Sequence, residues 1–281
     1  AAFFYGKDES GASTGAQTLW IPYAFVGVVV VLLAAVFLRA DVPDIKTEDD
    51  YHLDDASPDA SHSIWTHPHF WMAVIAQFLY VAAQAGIFSF FINDMTSQTP
   101  PLPESWTSGF LRNWIVGDSS GAFQLTDQGA ANLASVAFVF FLAGRFSGAA
   151  ILRKYSAHKV LGLYGVVNTV LCLLVALKLG WFSVAGVFLT YFFMSIMFPT
   201  IFALGIHGLG VRAKKASAFI VMAIMGGALL PKLMGHVGDL HGMSRAFIVP
   251  LACFAFVAFY GFSWPRLSGA SSLHDVKASG H

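Results

Sequence analysis

Residues 67–93 read HPHFWMAVIAQFLYVAAQAGIFSFFIN and hold no Asp, Glu, Lys or Arg. A helix rises about 1.5 Å per residue, so roughly 20 such residues cross the ~30 Å hydrocarbon core of a bilayer. The run is too long and too uniformly apolar for a half-buried surface helix of a soluble domain. Working outward, the same reading recurs, and seven spans follow: Leu19–Leu38, Phe70–Ile92, Gln128–Leu152, Val160–Lys178, Trp181–Ile206, Ala216–Gly235 and Ala246–Trp264. As delimited, none of the seven contains Asp or Glu, as lipid burial demands, because a carboxylate at mid-bilayer costs several kcal/mol.

Composition agrees. Of 281 residues, 56% are hydrophobic and 11% charged, against about 25% charged in an average soluble domain. The formal net charge of zero offers no basic excess for nucleic acid. Cys172 and Cys253 both fall within apolar runs and read as small buried hydrophobes. No signal peptide is read at the start of the chain: a basic n-region, a short apolar segment and a cleavage site are all missing there. The predicted fold class is therefore an all-α integral membrane protein with about seven transmembrane helices.

The short loops give an orientation. Arg153, Lys154 and Lys159 flank one turn, Arg212, Lys214 and Lys215 another, and Arg266 and Lys277 follow the last span. All fall on one side, which the positive-inside rule makes cytoplasmic. The alternate loops carry isolated cations such as Lys7, Arg112 and Arg245. The N-terminus is then outside and the C-terminus inside, with Trp20, Trp71, Trp181 and Trp264 at span ends as interfacial anchors. Two longer loops remain. One, within 40–69, is rich in Asp and Glu, carries Pro43 and Pro58, and reads as a cytoplasmic linker. The other, residues 93–127, carries Pro100, Pro101, Pro103, Trp106, Phe110 and Trp114 and is expected to pack partly on the outer face. Domain boundaries follow at 1–39, 40–69, 70–264 and 265–281.

Polar residues inside the spans are the candidates for function. Gln77, Tyr80, Gln84 and Phe88 follow a 3-4-4 spacing that puts them on one helical face. Amides in a spanning helix need partners, either on a neighbouring helix or on a polar solute. Two amides with aromatic rings suit a sugar: amides donate to and accept from hydroxyls, and rings cover C–H faces. Tyr191, Ser195, Phe198 and Phe202 form a similar face in the fifth span, where Pro199 is expected to kink the helix. Asn132 and Asn168 read as interhelical clasps or ligands. Met222, Met225, Gly226, Gly227 and Pro231 make the sixth span close-packing and bendable, and Lys232 is expected near its outer end, snorkelling to the interface. Gly144, Arg145, Gly148, Arg153, Lys154 and Lys159 form a compact basic turn, read as a gate-closing element or as plain topology. The ten histidines show no metal-ligand spacing on one face, and no nucleophile–base pair, phosphate loop or catalytic carboxylate pair appears. An enzyme is not expected, nor a cofactor or a metal.

Four stretches carry a family resemblance: residues 67–93 above, FLAGRFSGAAILRKYSAHKVLG from Phe141, FFMSIMFPTIFALGIHGLG from Phe192, and SAFIVMAIMGGALLPKLMGHVGD from Ser217. With them the chain resembles the major facilitator superfamily, in its fucose permease-like branch of sugar:proton symporters. The resemblance implies twelve helices in two six-helix halves joined by a cytoplasmic linker, with this chain holding the sixth to the twelfth. It implies alternating access around a midplane site by rocking of the halves. The second span then lines the cavity as the seventh helix, and the fifth as the tenth. Asn168 falls on a peripheral helix. The family's proton-coupling carboxylates are attributed to the first half, outside this chain.

The expected function is transport of a monosaccharide, fucose or a related hexose, by proton symport across the inner membrane. The expected partners are the sugar, protons by way of the missing half, and the lipid bilayer, with a monomer as the default. The alternatives are a non-proton-coupled sugar exchanger and a complete seven-helix receptor or sensor. A retinal protein would need a Lys in the last span, and Ala246–Trp264 has none.

Overall fold

The computed structural model describes residues 20–39, 64–102, 114–117 and 123–269. The chain divides into two compact units, Ala1–Ala56 and Ser57–His281. In the first, α1 spans Trp20–Arg39, 20 residues with no charge before its last. Most of the acidic linker, with His62, lies outside the described residues, as do Trp106, Phe110, Arg112 and Lys277.

The second unit holds six helices long and apolar enough to cross a membrane: α2 (Pro68–Gln98), α3 (Asp127–Leu152), α4 (Ala157–Ala176), α5 (Trp181–Ile206), α6 (Ala213–His241) and α7 (Met243–Ser268). Their alternating directions give the bundle a Pro68 end and a Gln98 end. Three helices are interrupted: α5 opens between Met194 and Met197, α6 passes through a 3₁₀ turn at Ala223–Met225, and α7 breaks at Phe247 near its start.

Local chemistry sets the boundaries. Pro68 opens α2 at a position where the missing N–H would be unpaired anyway. The helix then runs 31 residues, about 46 Å at 1.5 Å per residue, two turns past the expected run. The extension is polar, and its side chains bond back to the closing turns: Thr96 Oγ1 donates to Ile92 O (3.0 Å), Ser97 Oγ to Asp94 O (3.1 Å) and Thr99 Oγ1 to Met95 O (2.5 Å). Thr126 caps α3 by accepting from Gly129 N at 3.0 Å. The turn between α4 and α5 needs left-handed backbone at Lys178 and Gly180. Ser183 clamps it, accepting from Leu179 N (2.8 Å) and donating to Leu174 O (2.9 Å).

The helices run past the acid-free spans. The apolar runs hold no carboxylate, but the helices containing them carry Asp94, Asp127 and Asp239. Lys232 is exposed on α6, three residues before the apolar run ends and nine before the helix does.

Helix α2 is the hub, packed on α3, α5, α6 and α7. Its buried face, Phe70, Tyr80, Ile87 and Phe91, joins a core with Met194, Ile201, Phe254 and Trp264. Helices α4 and α7 approach closely because small residues meet: a Cβ on Gly261 would stand 2.5 Å from Gly162 N, and one on Gly165 would stand 2.8 Å from the Ala258 backbone. Over their most apolar stretches α3 and α6 are only 17% and 22% buried, against half or more for the other four, so these two form the flanks. At the Gln98 end, Ile115–Gly117 pairs antiparallel with Phe123–Leu125. Ile115 and Leu125 of these strands, with Thr99, Leu133, Trp181 and Phe188, line a partly open apolar pocket of about 160 Å³.

Candidate functional site

Pro199 organises the middle of the bundle. Lacking an N–H, it leaves the Ser195 carbonyl, four residues back, without its helical partner, and α5 opens there. Ser195 is fully buried, and an unpaired buried carbonyl costs roughly 1–3 kcal/mol. Two neighbouring helices supply donors. Arg145 on α3 donates to Ser195 O from Nε (3.3 Å) and Nη2 (3.1 Å). Tyr80 on α2 donates its hydroxyl to Met194 O at 2.9 Å. Ser195 turns its own hydroxyl back to Phe192 O at 2.7 Å.

Glycines let α3 come near enough for this. A Cβ on Gly144 would collide with the Phe192 carbonyl and stand 2.6 Å from Ser195 Oγ, and one on Gly148 would stand 2.5 Å from Ile196. The Arg145 guanidinium also lies 5.2 Å from the Phe141 ring centroid, within cation–π range.

Beside the break lies a set of rings. Phe88 of α2 stands 4.9 Å from Tyr191 of α5 and 5.0 Å from Phe138 of α3, and Phe138 meets Tyr191 edge-on at 5.6 Å. Phe141 lies 6.1 Å from Phe88, and Tyr80 lies 6.4 Å from Phe198. Gln84 is half-buried one turn from Phe88 and has an amide not committed to any hydrogen bond among the described residues. Phe138 is 49% exposed, so this ring set opens to the surface of the chain rather than into its core.

The structure thus brings together Tyr80, Gln84, Tyr191, Ser195, Phe198, Gly144 and Arg145. It places the other expected residues differently. Gln77 shares the Gln84 face but is completely buried, with neither amide atom bonded. Asn132 precedes Phe138 by six residues, a rotation of about 120° at 3.6 residues per turn, and lies off the aromatic face. Asn168 is buried, its Nδ2 4.0 Å from the Met197 sulfur and its Oδ1 unpaired. Arg153 and Lys154 are exposed in the α3–α4 turn, with Lys154 Nζ 5.7 Å from the Tyr155 ring.

The Pro68 end has its own cluster. The His158 ring stacks on Trp264 (centroids 5.6 Å, 20° between planes), and the His207 ring tilts against the same indole at 5.3 Å. Trp264 Nε1 donates to Leu204 O at 3.0 Å, and His69 Nε2 lies 3.1 Å from His207 O. Burial lowers the His207 pKa below its ordinary 6.5. Among the described residues no group of three His, Cys, Asp or Glu could hold a metal.

Comparison with known proteins follows the same lines. The L-fucose-proton symporter of Escherichia coli is 32% identical over 238 residues, covering 84% of this chain and 49% of that protein. The glucose/galactose transporter of Brucella abortus biovar 1 is 30% identical over 253 residues, 90% of this chain and 55% of the relative. A crystal structure of the Escherichia coli fucose:proton symporter superposes with a TM-score of 0.68 at 30% identity, covering 88% of this chain and 55% of that one. The chain belongs to the major facilitator superfamily, in its fucose permease-like branch. No family model matches it, and it spans about half the length of the curated relatives it matches.

For this member of the superfamily, two contributions escaped sequence reasoning. Phe138 and Phe141 complete the ring set from α3, but they sit in the uniformly apolar run FVFF, which has no polar contrast to mark a face. Asp94 lies beyond the apolar run from which the second span is read, and only the continuing helix brings it into the core.

Proposed function

We propose that the described bundle is one half of a monosaccharide transporter, the half holding the last six of twelve helices, with α1 as the sixth. The observation that carries this reading is the open ring set on α2, α3 and α5, with the Gln84 amide beside it and the broken α5 behind it. Aromatic faces suit the C–H surfaces of a sugar, and an uncommitted amide suits its hydroxyls. The partners named for the relatives, fucose, glucose and galactose, are the first substrates to test, with proton symport as the mode and exchange without protons as the second reading.

In this reading residues 40–69 link the halves, 70–264 form the second half and 265–281 a tail. The cations of the Pro68 end face the cytoplasm, which puts the N-terminus outside, and the protein works as a monomer in the inner membrane. Substrate contacts come from Gln84, Tyr191, Phe198 and the rings beside them, with Gln77 and Asn132 reached only in another conformation. Arg145 with Gly144 secures the α5 joint on which gating turns, flanked by Arg153 and Lys154.

The test is uptake of a panel of radiolabelled hexoses by the full-length protein in vesicles, with and without a pH gradient. Accumulation that collapses with the gradient supports symport and names the sugar. Uptake of no hexose by folded protein overturns the reading. Gln84→Ala is expected to weaken sugar binding while leaving membrane insertion intact, and unchanged binding removes Gln84 from the site.

A further inference from the structure

Asp94 is the least expected side chain in the bundle. It sits one turn before α2 ends, with no accessible surface. Its Oδ1 accepts from the Gln98 amide, its Oδ2 has no partner, and Gln98 Oε1 beside it is also buried and unpaired. A buried carboxylate normally recruits a cation or several donors, because a charge without them is expensive to hold out of water. Here no ion pair to it forms among the described residues, and Lys178, exposed in the α4–α5 turn, contributes only a weak favourable charge.

The remaining titratable groups at this end do not replace it. Cys172 on α4 and Cys253 on α7 are buried thiols. Asp127 on α3, His236, Asp239 and His241 on α6 and Arg245 on α7 are exposed. Ser244, where α7 begins, is buried with its hydroxyl unpaired.

We propose that Asp94 is a proton-binding site: its carboxyl holds a proton while the Gln98 end is packed as here, and releases it when that end opens to water. Three features of the structure support it. The empty Oδ2 position accommodates the O–H of a neutral carboxyl. Asp94 lies about 6 Å from the helix end at 1.5 Å per residue, so a small opening wets it. The positive charge of Lys178 favours the carboxylate that results. In the release step the Oδ2–H bond breaks, the proton passes to an entering water, and the carboxylate keeps the electron pair. Protonation and transport are separable here. The proton site stands on the geometry alone, and only its use in driving a sugar rests on the transporter reading.

Infrared difference spectroscopy of the full-length protein in vesicles, acid minus alkaline and without sugar, tests it. A carbonyl band of a protonated carboxyl is expected to titrate in the parent, to vanish in Asp94→Asn, and to move but persist in Asp94→Glu. A band unchanged in Asp94→Asn overturns the proposal. If Asp94→Asn does not fold, Asp94→Glu decides: a displaced band supports the site, and an unmoved one overturns it. Because no sugar is present, the spectrum can uphold the proton site while the uptake panel fails, or the reverse.

Discussion

Helices α5 and α6 each carry a proline in mid-course, Pro199 in one and Pro231 in the other. In α5 the interruption is buried, and the freed carbonyls of Met194 and Ser195 are met by Tyr80 and Arg145 from two other helices. In α6 the irregular turn Ala223–Met225 precedes the proline, which is accommodated as the sixth residue of a continuous segment. Its flank is open, with Met222 64% and Met225 58% exposed. What holds α6 is contact: a Cβ on Gly226 would collide with the Phe78 carbonyl, and one on Gly227 would stand 3.2 Å from Val81 and 3.3 Å from Ala85. One joint is pinned by directional bonds and the other by the closeness of two backbones. A pinned joint changes by exchanging partners, whereas a close contact allows sliding.

The comparison breaks most sharply at the glycines. Gly226→Leu is expected to cost on the order of 3 kcal/mol by overpacking against α2, read as a lowered thermal midpoint in detergent. Gly144→Leu should cost a similar amount at the α3–α5 crossing. A small effect at Gly226 with a large one at Gly144 would mean that α6 yields and is not held by contact.

The pinned joint gives the intermediate effects. Arg145→Met strands the Ser195 carbonyl and is expected to cost about 1–3 kcal/mol, whereas Tyr80→Phe removes one neutral bond worth about 1 kcal/mol. If the double variant loses less than the sum, the two bonds support one joint, which a double-mutant cycle measures directly.

The smallest effect belongs to the Pro68 end. His207 has its pKa lowered by burial, so the unfolded chain takes up a proton first as the pH falls. The stabilisation is therefore intact above pH 6.5, the ordinary value, and is lost as the pH falls through the lowered folded value. Hydrogen-exchange protection factors at 204–209, taken relative to the intrinsic rate at each pH, should fall in that window and stay level in His207→Gln.

The features legible in the sequence were the local ones. An apolar run of 20 residues betrays a span whatever surrounds it, and a proline four residues after Ser195 betrays a broken bond. The stripe from Tyr80 to Phe88 was readable because polar residues stand out in an apolar helix. Helix ends were harder to read. Hydropathy falls at Asn93, yet α2 continues because Thr96, Ser97 and Thr99 bond back to carbonyls of its own closing turns. Asn132 stood out by the same contrast, and it lies about 120° around α3 from Phe138. Phe138 and Phe141 were invisible because their neighbours are equally apolar. Which groups capped the opened carbonyls depended on where α2 and α3 cross α5, a matter of tertiary packing.

The two cysteines have a practical consequence. Both are sequestered in the bundle, Cys172 with no accessible surface and Cys253 at 4%, and the chain has no others. A maleimide or spin label therefore finds no ready native target in this part of the protein. Cysteines installed together at exposed Lys232 and Arg153 would report the distance between α6 and the α3–α4 turn without interference from Cys172 or Cys253.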